Sequence, residues 1–233
     1  LTERPLYVDV SMIPLCYEPV GPPRVSRASL GLPADAVVLA SFNNIYKITP
    51  GMFACWLRIL QRCGRAVLWL LDDNPWATAA LRGHAERAGI DPARLIFSPR
   101  STHAEYRERL TLADLYLDTY PYNAGSTARD VLDAQVPLIT VAGRTPVSRM
   151  AGGLLHAAGL DELIATGVDA YETLAVALAG DADRRAAIVA DMRRRAPGWR
   201  TGPARLAKSL DDQLVALVRG RETRGPAQPA VQR

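Results

Sequence analysis

The chain has 233 residues, 48% of them hydrophobic and 22% charged, which is typical of a globular protein that buries one substantial core or two small ones. Every apolar run is shorter than the roughly 20 residues that a membrane-spanning helix needs, so we expect no membrane partner. The formal charge of +4 suits an anionic ligand. The arginines, however, cluster at 181–200 and beyond 219 without interleaved aromatic residues, which argues against nucleic-acid binding.

The cysteines and the first residues bear on the setting of the protein. Cys16, Cys55 and Cys63 form no CxxC pair and no cluster with histidine, which disfavours both a disulfide framework and a zinc site. We therefore expect a reducing, cytoplasmic setting. The chain opens on Leu1 and lacks the pattern of a signal peptide, and we expect it to be a fragment of a longer protein.

The predicted elements divide the chain into three parts. Residues 1–35 carry six prolines and are predicted to be a linker or the end of a preceding lobe, without regular structure of their own. From about residue 36, short apolar runs alternate with amphipathic segments, a pattern that predicts strands and helices around a doubly wound parallel α/β sheet. The predicted strands are 37–42, 66–71, 94–97, 115–117 and 138–141. The predicted helices are 50–62, 76–88, 103–112, 127–134, 147–158, 170–179, 183–195 and 203–219, and a flexible tail follows over 220–233.

Polar segments follow three of the predicted strands, at 43–47, 98–103 and 118–130. Ligands of open parallel sheets bind at the carboxyl ends of the strands, so we expect these three segments to converge. The third contains Tyr120-Pro-Tyr-Asn-Ala-Gly-Ser-Thr-Ala-Arg-Asp130, a small, hydroxyl-rich loop that leads into a helix. Unpaired N–H groups and the helix dipole make such a helix start a binding site for phosphate.

Each candidate for the phosphate side has a structural alternative. Lys47 is placed to reach a diphosphate at the Ser126 and Thr127 helix start, although spacing alone favours a solvated surface lysine. Asn44 either donates its amide to the same oxygens or caps a turn. Thr127 and Asp130 have the spacing of a capping box, and the Asp130 carboxylate is also suited to accept hydrogen bonds from ribose hydroxyls.

A second group of candidates lies on the predicted helix 103–112. Residues three apart share a helix face, so His103, Tyr106 and Arg109 can offer a ring that stacks on a base and a cation at its edge. The alternative for His103 is a polar cap of the helix, which is the commoner role of a lone histidine at a helix start.

Two adjacent carboxylates, Asp72 and Asp73, raise a magnesium alternative. Asn74 and Pro75 follow them directly, which favours a turn that begins a helix, and we expect no metal. The sequence has no GxGxxG, P-loop or GxSxG motif, so dehydrogenases, nucleoside triphosphatases and α/β-hydrolases lose their main support.

Several motifs together resemble the carboxyl-terminal half of the catalytic region of O-linked N-acetylglucosamine transferases, in particular a bacterial homologue. Their order and intervals agree over roughly 30–179. The resemblance implies the Rossmann-like, nucleotide-sugar-binding lobe of a two-lobed GT-B glycosyltransferase, which transfers N-acetylglucosamine from UDP-GlcNAc with inversion to Ser or Thr hydroxyls. The matching segments are Phe42-Asn-Asn-Ile-Tyr-Lys47-Ile, Val67-Leu-Trp-Leu-Leu, Arg94-Leu-Ile-Phe-Ser-Pro99, Leu112-Ala-Asp-Leu-Tyr-Leu-Asp-Thr119, Gly125-Ser-Thr-Ala-Arg-Asp130-Val-Leu and Ser148-Arg-Met-Ala.

The resemblance also implies roles for residues on the phosphate side. Lys47 matches the family lysine on the donor diphosphate and is the catalytic candidate. Asn44 stands where the animal enzymes have Gln. Ser126 and Thr127 match the phosphate-binding helix start, and Asp130 matches the carboxylate on the ribose.

On the base side, the segment 101–109 matches the uridine site of the family. A main-chain group near Ser101 would read the uracil edge, and Arg109 would approach the base. His103 occupies a position that is usually Lys and Tyr106 one that is usually His, yet Tyr106 can still stack on uracil because stacking needs only a π-face. Gly125 replaces a family His beside the phosphates, which removes one donor.

The implied partners are UDP-GlcNAc and UDP, a protein acceptor, and the amino-terminal catalytic lobe and TPR region of the same protein. The resemblance implies no cofactor and no metal, because Lys47 and the helix-start amides would offset the charge that grows on the departing diphosphate. We expect this chain alone to bind UDP weakly and to transfer no sugar.

Three other functions stay open at this stage. The first is a non-catalytic nucleotide- or phosphosugar-binding module, and the second is a GT-B enzyme with another donor or acceptor. The third is a protein-interaction domain that docks a partner through the Arg-rich helix 183–195.

Overall fold

Six parallel strands form a single sheet in the computed structural model, which describes Leu6, Val8, Ile13 and residues 17–199 and 202–219. The strands are β1 (Val37–Ser41), β2 (Ala66–Asp72), β3 (Leu95–Pro99), β4 (Leu115–Leu117), β5 (Leu138–Val141) and β6 (Ile164–Ala165). Their order across the sheet is β3-β2-β1-β4-β5-β6. From β1 to β3 each new strand is added on one side of β1, whereas from β4 to β6 each is added on the other side. At such a switch point, here between β1 and β4, a parallel sheet opens a ligand crevice at the carboxyl ends of its strands.

Helices connect the strands, and their first residues explain where they begin. Thr49 accepts a hydrogen bond from the Met52 N–H and Pro50 follows it, so the first helix starts there. The α-helices are α1 (Pro50–Arg62), α2 (Pro75–Arg87), α3 (His103–Leu110), α4 (Ser126–Asp133), α5 (Met150–Ala158), α6 (Val168–Gly180), α7 (Ala182–Trp199) and α8 (Gly202–Val218). Short 3₁₀ turns occur at Ala28–Leu30, Ile45–Lys47, Pro92–Arg94, Pro146–Ser148 and Asp161–Leu163.

The core lies on both faces of the central strands. The first five residues of β2 are buried, as are the last four of β1, which explains why these strands are continuous apolar runs without alternation. Helix α1 covers one face with Trp56, Ile59 and Leu60, all of which have no exposed surface. These three residues share one helix face by their spacing, so this stripe is the core face of α1.

The predicted doubly wound sheet is confirmed, with each predicted strand and helix present within four residues of its expected bounds. Strand β6 was not predicted. It has only two residues and pairs only with β5 at the sheet edge, so it leaves no periodic pattern in the sequence. The helix expected from residue 147 begins at Met150, because Pro146–Ser148 form a 3₁₀ turn first.

The described residues before β1 pack against this sheet and its helices. Arg27 donates to the Asp114 carboxylate (2.9 Å) and to the Leu112 carbonyl (2.8 Å), and Leu32 is buried. This segment was expected to lack regular structure, but it contains the 3₁₀ turn Ala28–Leu30. Cys16 and the predicted tail 220–233 lie outside the described residues. Within the described part of the chain, no helix combines the length and the apolar character needed to cross a membrane.

Candidate functional site

A cavity of about 340 Å³ opens at the carboxyl ends of β1, β2 and β3, within the size range of small-molecule sites. The three polar segments that follow β1, β3 and β4 all contribute to it, as the sequence predicted. Of the candidate residues, those that line the cavity are Asn44, Lys47, Ser101, His103, Tyr106, Arg109 and Thr127. Gly125, Ser126 and Asp130 lie beside the cavity, in or next to the first turns of α4.

Lys47 is held at the switch point between β1 and β4. Its Nζ donates to the Asn123 carbonyl (3.1 Å) and lies 4.1 Å from the centre of the Tyr122 ring. The side chain is half-buried, and burial lowers the pKa of the Lys47 ammonium below its ordinary value. The solvated-lysine alternative is therefore wrong: the ammonium is fixed against the loop that follows β4.

The loop after β4 is organised by Asp118, which the sequence analysis did not identify as a functional position. This carboxylate is 1% exposed. One oxygen accepts from the backbone N–H groups of Thr119 and Ala124 (both 2.8 Å) and from the Asn43 amide (3.3 Å), and the other accepts from the Thr140 hydroxyl (2.7 Å). Burial raises the pKa of Asp118 to about 6 against the opposing effect of these hydrogen bonds.

The same loop is closed by two further hydrogen bonds. The Thr119 hydroxyl donates to the Tyr122 carbonyl (2.7 Å), and the Asn123 amide donates to the Thr119 carbonyl (2.8 Å). Both bonds hold the chain segment that carries the oxygen and the ring in contact with Lys47. The buried Asp118 network therefore determines where the ammonium can sit.

Helix α4 starts without a side-chain cap. Its N-cap is Gly125, and the first N–H groups that bond back are those of Ala128 and Arg129, both to the Gly125 carbonyl. The N–H groups of Ser126 and Thr127 precede these bonds and stand at the positive end of the helix, where an anion is stabilised. The capping-box interpretation of Thr127 and Asp130 is wrong, because the helix begins one residue earlier and the cap is a glycine.

Gly125 lies in close packing with the ends of two side chains. A Cβ atom at this position would lie 2.4 Å from Met150 Cε and 3.2 Å from Ile13 Cδ1. The absence of a side chain thus lets the first turn of α4 approach the start of α5. A larger residue here would first have to displace the end of the Met150 side chain.

The base side of the cavity is formed by the amino-terminal turns of α3. Thr102 caps this helix in a reciprocal capping box with Glu105, so the cap interpretation of His103 is wrong. The ring of His103 stacks near that of Tyr106, with centroids 6.2 Å apart, and its Nε2 lies 3.1 Å from Asp130 Oδ2. His103, a candidate for contact with the base, therefore contacts Asp130, the candidate for contact with the ribose.

Tyr106 and Asp130 each place a buried oxygen next to the cavity. The Tyr106 hydroxyl faces the Thr127 side chain, its ring meets the Phe42 ring edge-on at 6.0 Å, and burial raises the pKa of the phenol. Tyr106 is thus a neutral ring with a π-face at the cavity. Asp130 is 5% exposed, and its Oδ1 is a free acceptor. Arg109 donates to the Pro99 carbonyl (3.0 Å), which ties α3 to the end of β3.

The Asp72–Asp73 pair belongs to a helix start, as the sequence indicated. Asn74 caps α2 by accepting from the N–H groups of Trp76 and Ala77. Asp72 accepts from the Thr78 hydroxyl at 2.8 Å. Among the residues that the structure describes, no group of three or more His, Cys, Asp and Glu is placed to hold a metal ion.

Comparison with solved structures gives the class of protein. An O-GlcNAc transferase mutant from Thermobaculum terrenum superposes with a TM-score of 0.76 at 25% identity, over 86% of this chain and 39% of that one. A sucrose-phosphate synthase from Thermosynechococcus elongatus shares the fold alone, with a TM-score of 0.61 at 17% identity over 87% of this chain and 52% of that one. The sheet order, the cavity at its switch point and these neighbours define a lobe of a GT-B glycosyltransferase.

Sequence comparison gives the family. The model of glycosyl transferase family 41 matches residues 19–198, and the chain belongs to this family. The UDP-N-acetylglucosamine--peptide N-acetylglucosaminyltransferase of Caenorhabditis elegans is 37% identical over 161 residues, and a probable enzyme of the same name from Arabidopsis thaliana is 35% identical over 168. These matches cover 69% and 72% of this chain but only 14% and 17% of the two relatives. The resemblance drawn from the motifs is confirmed.

Proposed function

We propose that this chain is the donor-binding lobe of an inverting glycosyltransferase that moves N-acetylglucosamine from UDP-GlcNAc to Ser or Thr hydroxyls of proteins. The names of its relatives support the donor and the peptide acceptor. The observation that carries the proposal is the position of Lys47, whose ammonium lines the same cavity as Thr127 at the uncapped start of α4.

The ligand follows the cavity from base to phosphate. Uracil stacks on the Tyr106 ring, with the main chain near Ser101 and the Arg109 side chain at its edge. The free Oδ1 of Asp130 accepts from a ribose hydroxyl. The diphosphate then meets three kinds of donor, namely the Lys47 ammonium, the Asn44 amide, and the N–H groups at the start of α4, which Ser126 and Thr127 supply.

The chemistry required of this lobe is stabilisation of a leaving group. As the bond from the anomeric carbon to the diphosphate breaks, negative charge grows on the diphosphate oxygens. Lys47 is already fixed by Asn123 and Tyr122, so its positive charge acts without reorganisation. The cationic and amide donors carry this role without a metal. The acceptor hydroxyl belongs to the protein substrate, and in this proposal the amino-terminal lobe and TPR region of a longer protein position it and supply any general base.

The thiols support a reducing, cytoplasmic location. Cys55 and Cys63 are both free, and burial raises the pKa of the Cys55 thiol to about 12. A raised pKa keeps the sulfur as an unreactive thiol.

One alternative function is weakened by the structure, and another stays open. Helix α7 buries Ile188, Met192 and Trp199 against the lobe, so its apolar face is not available to dock a partner. A non-catalytic binding module would have the same cavity and the same lysine, and only a transfer assay separates it from an enzyme.

The test uses the longer natural chain that contains both lobes. Lys47→Ala should lower kcat at least about 100-fold, as the loss of a preorganised electrostatic group does. The matched control is Lys208→Ala, which removes the other lysine of the chain, an exposed one paired with Asp212 at 3.0 Å. Unchanged turnover in Lys47→Ala would refute the catalytic assignment, and absence of any transfer by the wild type would favour the binding module.

A further inference from the structure

Arg100 links the ends of three neighbouring strands at the mouth of the cavity. It follows β3, its Nε donates to Asp73 Oδ1 (2.6 Å) after β2, and its Nη2 donates to Asn44 Oδ1 (2.7 Å) after β1. Both Arg100 and Asn44 line the cavity. From the sequence, Asp73 is expected only as a metal ligand or as part of a helix start, and Arg100 has no predicted role.

The chemistry of the guanidinium fixes which way the Asn44 amide points. A guanidinium carries only donors, so the atom of Asn44 that faces Arg100 must be the acceptor Oδ1. The NH₂ group is then the end that remains for a ligand. Asn44 precedes the 3₁₀ turn Ile45–Lys47 but makes no side-chain cap bond to it, so the turn does not compete for this amide.

Asp73 holds the guanidinium in place for this task. In the Arg100–Asp73 ion pair, the carboxylate contacts Nε of the guanidinium. Because the guanidinium is planar and rigid, fixing the direction of the Nε–H bond also fixes the direction of the Nη2–H bonds that face Asn44. Arg100 in turn lowers the pKa of Asp73, which keeps this carboxylate charged. Arg100 therefore connects Asp73, which follows β2, to Asn44, which follows β1.

We propose that Arg100, anchored by Asp73, is a positioning residue that turns the Asn44 NH₂ group towards the diphosphate of a bound nucleoside diphosphate. The inference rests on the proposed function, because it takes the ligand and the side of the cavity from it. It adds a determinant of phosphate affinity that acts through Asn44 without contacting the ligand.

The test compares UDP with uridine by chemical-shift titration of the chain, a method that measures weak binding. Arg100→Ala should weaken UDP binding about five- to tenfold, the worth of one misplaced hydrogen bond, and leave uridine binding unchanged. Asp73→Asn should weaken UDP binding to a smaller extent. Arg58→Ala is the control, because it removes a comparable arginine–carboxylate pair, to Glu172 at 2.7 Å, away from the cavity.

A double-mutant cycle decides whether Arg100 acts through Asn44. In the Asn44→Ala background, Arg100→Ala should have no further effect on UDP binding. A full effect in that background would mean that Arg100 contacts the ligand itself, and an equal loss for uridine and UDP would mean a general structural role, so either result overturns the inference. If wild-type chain bound UDP and Arg100→Ala bound it equally well, the inference alone would fail. If folded wild-type chain bound neither ligand, the proposed function would fail with it.

Discussion

Two of the three loops at the cavity are held in opposite ways. The loop after β4, residues 118–125, is fixed from below by the Asp118 carboxylate, which is buried and has four donors. The loop after β3, residues 100–102, is fixed from outside by the Arg100–Asp73 pair and the Thr102 capping box. Contacts in the core cannot change without cost to the fold, whereas surface contacts can change freely. The proposed phosphate side is therefore coupled to the stability of the lobe, whereas contacts on the proposed base side can change at little cost to stability.

The sequence resemblance implies departures from the family at three positions near the cavity. Two of them, His103 and Tyr106, line the cavity beside α3. The third, Gly125, lies where the end of the Met150 side chain fills the space that a side chain would need. The packing around this position is therefore consistent with a glycine.

The largest expected effect is on the rigid side. Asp118→Ala leaves four buried donors without an acceptor and should lower the free energy of unfolding by about 3 to 5 kcal/mol. Asp73→Ala, in the exposed loop contacts, should change it by less than about 1 kcal/mol. Urea denaturation of both variants measures the difference, and equal losses would remove the contrast between the two loops.

The next effect concerns pH, and it follows from the raised pKa of Asp118. The folded pKa of about 6 exceeds the ordinary value of 3.8, so the folded state binds the proton more tightly and stability falls as pH rises from about 4 to 6. At 1.36 kcal/mol per pH unit, this difference amounts to about 3 kcal/mol. Burial also raises the pKa of Asp133 to about 6, which adds a slope of the same sign.

Asp118→Asn should remove about half of that slope, because Asp118 and Asp133 have the same raised pKa. The Asn oxygen can keep the three donors on Oδ1, and its NH₂ group can donate to the Thr140 hydroxyl oxygen, so the variant retains the fold. Urea denaturation of both proteins from pH 4 to 8 gives the slopes. A variant with the same pH dependence as the wild type would show that Asp118 does not titrate in this range.

On the base side, the expected effect is on binding. Tyr106→Ala removes the proposed stacking surface and should weaken UDP binding by about 1 to 3 kcal/mol. Tyr106→Phe is the matched control, because it keeps the ring and removes only the buried hydroxyl beside Thr127, so UDP binding should change far less than in the alanine variant. Binding is compared on folded protein by titration. If the alanine variant bound UDP with the same affinity as the wild type, the base would not stack on the Tyr106 ring.

The smallest effect tests the glycine on the rigid side. Gly125→Ala brings a Cβ against Met150 and should cost about 1 kcal/mol of stability, and a second change, Met150→Ala, should relieve most of that cost. Gly153→Ala is the control, since a Cβ there meets nothing within 4 Å and alanine favours the helix. A stability of Gly125→Ala equal to that of the wild type would show that the packing at this position is not tight.

Local patterns were sufficient to predict most of the fold and one side of the site. Apolar runs, helix periodicity and Pro or Asn at helix starts are local signals, and they located the strands, the helices and the convergence of the loops at Lys47. The cap assignments of Thr127 and His103 failed, because a cap depends on the exact first residue of a helix, which patterns give only to within a few residues. Thr102 and Gly125 occupy those positions.

The contacts that organise the site lie beyond the reach of local patterns. Asp118 gathers donors from Asn43 and Thr140, which lie 75 and 22 residues away in the chain. Arg100 reaches Asn44 across 56 residues. Such pairs are brought together by the strand order, which the alternation of strands and helices does not specify.

The central claim is that the loop after β4, the start of α4 and Lys47 bind the diphosphate of UDP. Calorimetric titration of UDP into this chain tests it most directly, with Lys47→Ala and the exposed control Lys208→Ala alongside. The account predicts saturable heat at millimolar UDP, an affinity lower by about tenfold or more in Lys47→Ala, and no change in Lys208→Ala. No heat from folded wild-type chain, or equal affinity in Lys47→Ala, would contradict it.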